Sequence, residues 1–167
     1  MLSYAKISSY KIKKILECFA QDYSSVEASK LTNLSRNTTD RYYNIFRKII
    51  RQLFVDLLQV LPLSCKYIGY MESEYGPKYF LNIYKYNHKV FLATLLSQKP
   101  DHEKYAIRDK DFYKFAKSIY ARFSKFHGFT KQTYYQQVFE CIVRYNYSNE
   151  EISNYIWRQL KKSSKKS

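Results

Sequence analysis

Apolar residues recur every three or four positions in the first third of the chain, between Ser8 and Leu61. This spacing places them along one side of an α-helix and predicts a block that is helical throughout. They fall into three groups: Ile12, Ile15, Leu16 and Phe19; then Val26 and Leu31; then Tyr42, Ile45, Phe46, Ile49, Leu53 and Leu57.

The pattern changes between residues 65 and 96, where β-branched and aromatic side chains occur in short runs. The pairs Gly76-Pro77 and Asn87-His88 separate these runs, as turns between antiparallel strands do. Helical spacing returns from about residue 109 to about residue 162, with a break at Gly128 and a helix start at Thr130. The chain is therefore predicted to have an α+β fold, with helices in residues 1–61 and then two or three antiparallel strands and further helices in residues 62–167.

One segment of the helical block, from about Ser24 to Gln52, has the features of a helix-turn-helix. Ala28 is small enough to lie where two helices cross closely. Asn33 tolerates the left-handed backbone conformation that a tight turn between helices requires, and Ser35 can cap the second helix. Two leucines bracket the turn and are expected to be buried on either side of it: Leu31 and Leu34. The alternative is that Ser35 only caps an ordinary surface helix.

The second helix of this motif carries cationic and amide-bearing side chains in its first turns. Side chains of these types reach base edges and phosphates from the major groove of DNA. The predicted DNA contacts in these turns are Arg36, Asn37, Thr39 and Arg41, with Tyr43 as a further candidate. Three cations farther along the same helix are expected to contact phosphates and not bases: Arg47, Lys48 and Arg51.

The charge of the chain agrees with a polyanionic partner. The 167 residues include 29 Lys and Arg but 14 Asp and Glu, which gives a formal net charge of +15. Such an excess favours binding to nucleic acid. Part of the Lys, Tyr and Phe content is also what an A/T-rich gene would encode, so the composition alone does not establish the partner.

Several other classes of protein are disfavoured. No apolar run approaches the ~20 residues of a membrane span, and the first residues lack the apolar block of a secretory signal peptide. The cysteines and histidines are too widely separated for a disulfide framework or a zinc site. They are Cys18, Cys65, Cys141, His88, His102 and His127. We therefore expect a cytoplasmic protein with no metal site, no cofactor and no membrane partner.

Five segments of the chain occur in an order that is familiar from one family of enzymes. They begin at Leu31-Thr-Asn-Leu-Ser-Arg-Asn-Thr, Met71-Glu-Ser-Glu-Tyr-Gly, Ile83-Tyr-Lys-Tyr-Asn-His-Lys, Asp111-Phe-Tyr-Lys-Phe-Ala-Lys-Ser and Phe139-Glu-Cys-Ile-Val-Arg-Tyr-Asn. From residue 2 to about residue 160, the chain resembles the small DDE-type transposases of bacterial insertion sequences. These enzymes join an N-terminal helix-turn-helix to a ribonuclease-H-like catalytic domain. The resemblance implies a bacterial, nucleoid-associated protein in which residues 62–167 are a shortened remnant of the ribonuclease-H-like fold.

The positions that hold metal ions in that family are altered in this chain. Family members use three acidic or amide side chains to hold two ions for strand cleavage and transfer. The first acid aligns with Met71, whose thioether is a poor ligand for Mg²⁺, and the third falls near Ile107 or Lys110. The strand that would carry the second acid is missing from the sequence. The remaining candidate acids are Glu72, Asp101, Asp109 and Asp111, and Lys117 matches a lysine of the family that is expected to contact DNA.

The leading prediction is a transposase-derived protein that binds double-stranded DNA and lacks strand-transfer activity. The first alternative is an active transposase that uses Mg²⁺ and the candidate acids in atypical positions. The second alternative is an interaction protein, in which the apolar seam from Tyr43 to Leu57 is a dimer interface. In that case the exposed edge of the shortened sheet would pair with a second copy or with a full-length transposase.

Overall fold

The structure is a computed structural model that describes residues 7–58, 66–72, 80–87, 89–96, 110–125 and 131–164. The helices are α1 (Ser9–Ala20), α2 (Ser25–Thr32), α3 (Arg36–Leu58), α4 (Lys110–Lys125), α5 (Lys131–Asn146) and α6 (Asn149–Ser164). The strands are β1 (Lys66–Glu72), β2 (Phe80–Tyr86) and β3 (Lys89–Leu96). The predicted α+β fold is confirmed, while Gly76-Pro77, Gly128 and Thr130 lie outside the described residues. No helix in these ranges combines the length and the apolar character needed to cross a membrane.

The elements divide into two units, which we call the helical unit (Met1–Gln52 and Tyr147–Ser167) and the sheet unit (Leu53–Asn146). The helical unit includes α6, whereas the sequence analysis placed the last helix with the C-terminal region of residues 62–167. Helical spacing reveals the apolar face of a helix but not the element that covers it. In the structure α6 packs against α1, and its residues Ile152 and Ile156 are buried.

Aromatic rings form much of the core of the helical unit. The ring centroid of Phe19 in α1 lies 5.0 Å from that of Tyr43 and 5.4 Å from that of Phe46, both in α3 and both in edge-to-face contact. Such pairs contribute about 0.5–1.5 kcal/mol beyond the burial of their surface. Ile50, one turn farther along α3, is also buried. This part of the seam that was predicted as a dimer interface is therefore core, whereas for residues 54–58 the structure describes the helix but not the side chains.

The sheet unit contains a three-stranded antiparallel sheet in the order β1-β2-β3. Tyr86 of β2 pairs with Lys89 of β3, so the connection between these strands is two residues long. Its first residue, Asn87, has a φ of 45°, as hairpin turns of this length require. The turn predicted from the Asn87-His88 pair is therefore confirmed at Asn87. Helix α5 packs on β3, and α4 packs on both α5 and β1.

The outer edge of β3 is occupied by a side chain from the end of α5. The amide oxygen of Asn146 accepts a hydrogen bond from the backbone N–H of Val90 at 2.7 Å, and its Nδ2 donates to the carbonyl of Val90 at 2.6 Å. A neighbouring strand would satisfy these backbone groups in the same way. The edge that the sequence predicts to be exposed is thus covered at Val90.

A carboxylate lies between two arginines inside the sheet unit. Glu140 of α5 is 2 % exposed. Its Oε1 accepts hydrogen bonds from Nη2 of Arg122 in α4 at 2.6 Å and from Nη2 of Arg144 at 2.8 Å. Gln137 accepts a further bond from Nε of Arg122 at 3.2 Å. Since each charge has a partner, the cluster links α4 to α5 without leaving a buried charge unpaired.

Candidate nucleic-acid interface

Helix α2 begins with a reciprocal cap. The hydroxyl of Ser24 accepts a hydrogen bond from the N–H of Glu27 at 3.2 Å, and the Glu27 carboxylate accepts one from the N–H of Ser24 at 2.7 Å. This pair satisfies backbone donors that the start of a helix leaves without partners. Ala28 is fully buried in the next turn, where α2 packs against α1. The predicted burial of this small side chain is therefore confirmed.

The turn between α2 and α3 has the geometry that the sequence predicted. Asn33 has φ 51° and ψ 50°, in the left-handed region. The N–H of Leu34 donates to the carbonyl of Ser29 at 3.1 Å, which closes the end of α2. Ser35 then caps α3, because its hydroxyl accepts a hydrogen bond from the N–H of Thr38 at 3.3 Å. These bonds fix the orientation of α3 relative to α2.

The predicted burial of the two leucines beside this turn is only partly correct. Leu34 is half-buried, but Leu31 is 62 % exposed. Helix α2 buries Ala28 and Thr32, whereas Leu31, between them along the chain, lies at the margin of that buried side. The prediction for Leu31 is therefore wrong, because the contact side of α2 is narrower than its apolar pattern indicates.

The inner side of α3 is held in the core of the helical unit. Thr39, Tyr43 and Phe46 are buried along this side. The hydroxyl of Thr39 donates to the carbonyl of Ser35 at 3.3 Å, within the first turn of the helix. Because these residues fix how α3 is rotated, the side chains on the opposite side are held toward solvent.

We call that opposite side the α3 outer face; it consists of Asn37, Asp40, Arg41, Asn44, Ile45 and Lys48. These residues line a shallow pocket with a volume of about 460 Å³. Asn37, Arg41, Asn44 and Lys48 are exposed and recur every three or four positions, so they form one stripe along the helix. The carboxylate of Asp40 lies 3.6 Å from Nε of Arg36. The face thus combines two amides and two cations with a single carboxylate.

Most of the predicted DNA contacts on α3 are exposed. Arg36, Asn37, Arg41, Lys48 and Arg51 are exposed. Arg47 is half-buried, and its guanidinium carbon lies 5.7 Å from the ring centroid of Tyr43.

Two of the predicted contacts are corrected by the structure. Thr39 is 0 % exposed and Tyr43 is 2 % exposed. They lie one turn apart on the side of α3 that packs against Phe19, so neither side chain can reach DNA from a folded helical unit.

Three members of the α3 outer face were not predicted from the sequence: Asp40, Asn44 and Ile45. The signal that finds them is helical spacing, because residues three, seven and eight positions after Asn37 lie on the same side of a helix. The prediction from the sequence instead selected cations, amides and a hydroxyl in the first two turns and only cations beyond them, which left these three positions out.

Two of the candidate catalytic acids, Glu72 and Asp111, lie among the described residues. Asp111 lies in the first turn of α4, where its carboxylate accepts a hydrogen bond from Nζ of Lys85 in β2, and its carbonyl accepts one from the hydroxyl of Tyr145 at 3.4 Å. Glu72 is the last residue of β1 and pairs with Phe80. Asp101 and Asp109 lie outside the described residues. Within the described ranges, no three side chains of the types that bind metals are grouped.

Lys117, which was predicted to contact DNA, belongs to the sheet unit and not to the helical unit. It lies on the exposed side of α4.

No protein-family profile, curated protein or solved structure matches this chain. The resemblance to insertion-sequence transposases therefore rests on the short segments quoted above. What the protein does has to follow from its own residues, above all from those of the α3 outer face.

Proposed function

We propose that this protein binds double-stranded DNA, with the α3 outer face in the major groove. The observation that carries the proposal is the exposed stripe that includes Asn37, Arg41 and Lys48. It places amide and cationic groups on the solvent side of a helix whose other side is fixed by Phe19 and by the turn at Asn33.

The dimensions and order of the two helices suit this mode of binding. A major groove is about 12 Å wide and accepts one α-helix. In helix-turn-helix proteins, the first turns of the second helix contact base edges while the first helix crosses the DNA backbone. Asn37 and Arg41 lie in the first two turns of α3. Their side chains match the donor and acceptor pairs of adenine and guanine respectively.

The cations farther along α3 are assigned to the phosphate backbone. Lys48 and Arg51 are exposed and lie beyond the turns that would contact bases. Each phosphate contact releases counterions, so the affinity should fall steeply as salt concentration rises. The formal net charge of +15 favours the same partner and would speed its association.

The test is a gel-shift selection from duplexes of random sequence, followed by binding measurements on the selected site. Arg41→Ala should weaken binding to that site by about 1–3 kcal/mol and relax the preference at one base pair. Arg158→Ala is the matched control, since Arg158 is exposed on α6 of the same unit and its loss changes the charge equally. Absence of any complex at low salt would overturn the proposal, as would an equal effect of the two variants.

We further propose that the protein derives from a transposase that has lost its catalytic activity. The resemblance implies a transposase-derived protein that reads DNA and does not transfer strands. The ion pair of Asp111 with Lys85 supports the lack of strand transfer, because the ammonium group of Lys85 competes with a metal ion for the Asp111 carboxylate. A supercoiled plasmid that carries the selected site should remain intact with Mg²⁺ or Mn²⁺. Nicking that disappears in Glu72→Gln or Asp109→Asn would favour an active transposase instead.

A further inference from the structure

Helix α4 has an exposed side that combines aromatic rings with lysines. Tyr113 is 59 % exposed and Tyr120 is 53 % exposed, so about half or more of each side chain is available for contact with a ligand. Lys110, Lys114 and Lys117 are exposed on the same side. We call this surface, which consists of these two tyrosines and three lysines, the α4 outer face.

The orientation of this face is fixed by the opposite side of the helix. Phe115 and Ile119 are fully buried, and Arg122 is held by Glu140 of α5. Tyr113 and Tyr120 are seven residues apart, so they lie on one line along the helix and about 10 Å apart along its axis. Lys117 lies between them.

The positive charge of the α4 outer face favours a polyanionic ligand. Its charged residues are all lysines, and none of the three forms an ion pair with another residue in the described part of the chain. The acid in the first turn of α4, Asp111, is engaged by Lys85. The exposed side therefore offers cations that are not offset by a carboxylate on the same face.

The two exposed tyrosines favour single-stranded nucleic acid as the ligand. Exposed aromatic rings stack on bases, and this stacking tolerates any sequence because every base has a flat face. Bases in a duplex are stacked on one another, so a ring on a convex helix reaches them only in unpaired strands. Tyr113 and Tyr120 would each stack on a base, and Lys117 between them would bind a phosphate of the same strand.

We propose that the α4 outer face is a second nucleic-acid site, which binds single-stranded DNA or RNA by stacking on Tyr113 and Tyr120. The site belongs to the sheet unit and has a different ligand from the α3 outer face. It does not depend on the function proposed for α3.

Fluorescence anisotropy with labelled oligo(dT) and oligo(U), using the full chain, tests this proposal and shows which strand is preferred. Each of Tyr113→Ala and Tyr120→Ala should weaken binding roughly tenfold, while the corresponding changes to Phe should retain it, because stacking needs the ring and not the hydroxyl. Tyr10→Ala is the control, since Tyr10 is 64 % exposed but lies on α1.

The proposal would be overturned if neither oligonucleotide bound, if the Tyr10→Ala control lost binding equally, or if the Phe variants bound as weakly as the Ala variants. The two sites are distinguished by measuring the binding of both duplex DNA and oligo(dT) to the variants of each site. Arg41→Ala should weaken duplex binding and leave oligo(dT) binding unchanged, and the tyrosine variants should do the reverse. If Arg41→Ala removed oligo(dT) binding, the single strand would belong to α3 and the proposal would fail.

Discussion

The hydroxyl of Tyr43 donates a hydrogen bond to the backbone carbonyl of Tyr23 at 3.0 Å. Tyr43 lies on the inner side of α3, and Tyr23 is the residue before the cap of α2. This bond therefore links α3 to the start of α2, in addition to the turn that joins the two helices.

Replacing Tyr43 by Phe should lower the free energy of unfolding by about 1 kcal/mol, because a partly buried hydrogen bond is lost while the packing of the ring is kept. Urea denaturation measures this difference. Tyr120→Phe, at an exposed position, should have no measurable effect. Since Tyr43 faces the core, its variant should bind duplex DNA as the original chain does at temperatures where both are folded. A loss of affinity without a loss of stability would return Tyr43 to the list of DNA contacts.

Asp40→Asn should strengthen duplex binding at low salt. The change removes the single carboxylate of the α3 outer face and releases Arg36 for the phosphates. We expect roughly a fivefold gain, corresponding to about 1 kcal/mol for one unit charge in water-like surroundings. This gain should decrease as salt screens the charges. Glu17→Gln, an equal charge change at an exposed position of α1, serves as control. Stability should change little because the Arg36–Asp40 pair is exposed.

Glu140→Gln should destabilise the protein by about 3–5 kcal/mol. The substitution leaves Arg122 and Arg144, whose side chains are 5 % and 13 % exposed, without their shared anion. Thermal and chemical denaturation followed by circular dichroism would show this as a large loss. Glu150→Gln, an exposed change at the start of α6, should cost far less. A loss below about 1 kcal/mol for Glu140→Gln would mean that the arginines are hydrated.

Cys18 should react slowly with thiol reagents in the native protein. Burial raises the pKa of its thiol, and the nearby carboxylate of Glu17 raises that pKa further, so less of the reactive thiolate is present. Labelling at a series of pH values, with peptide mass spectrometry to separate the three cysteines, measures the effect. Half-maximal reactivity of Cys18 should occur at a higher pH than in the chain unfolded by urea.

The same shift makes stability depend on pH. Because the pKa of Cys18 is raised in the folded state, its contribution is fully present below the unfolded thiol pKa of about 8.5 and is lost as pH rises through the folded value. Cys18→Ala should flatten the decline of stability at alkaline pH. An unchanged pH dependence would assign that decline to other groups.

Local features of both units could be predicted from the sequence, because each depends on residues that are close along the chain. The left-handed backbone at Asn33, the cap at Ser35 and the turn at Asn87 are of this kind. Their conformations follow from what these side chains permit and bind locally.

The remaining features depend on contacts between distant residues. Thr39 has the size and polarity of a DNA contact, and only its position on the side of α3 that faces Phe19 makes it part of the core. The pairing of Lys85 with Asp111 joins residues that are 26 positions apart. Spacing within one helix carries no information about either contact, because the partner is set by how the elements pack.

The helical unit is built from two stretches of chain that are separated by the whole sheet unit. During synthesis, α1, α2 and α3 therefore leave the ribosome long before α6, which covers part of α1. Domains tend to fold as they emerge, so we expect the helical unit to complete its packing only after α6 has been synthesised, and its incomplete form to expose apolar surface of α1. A chain that stops before α6 would carry every residue of the α3 outer face and still lack the helix that packs against α1, so we expect that face to be correctly oriented only when the last helix has been made.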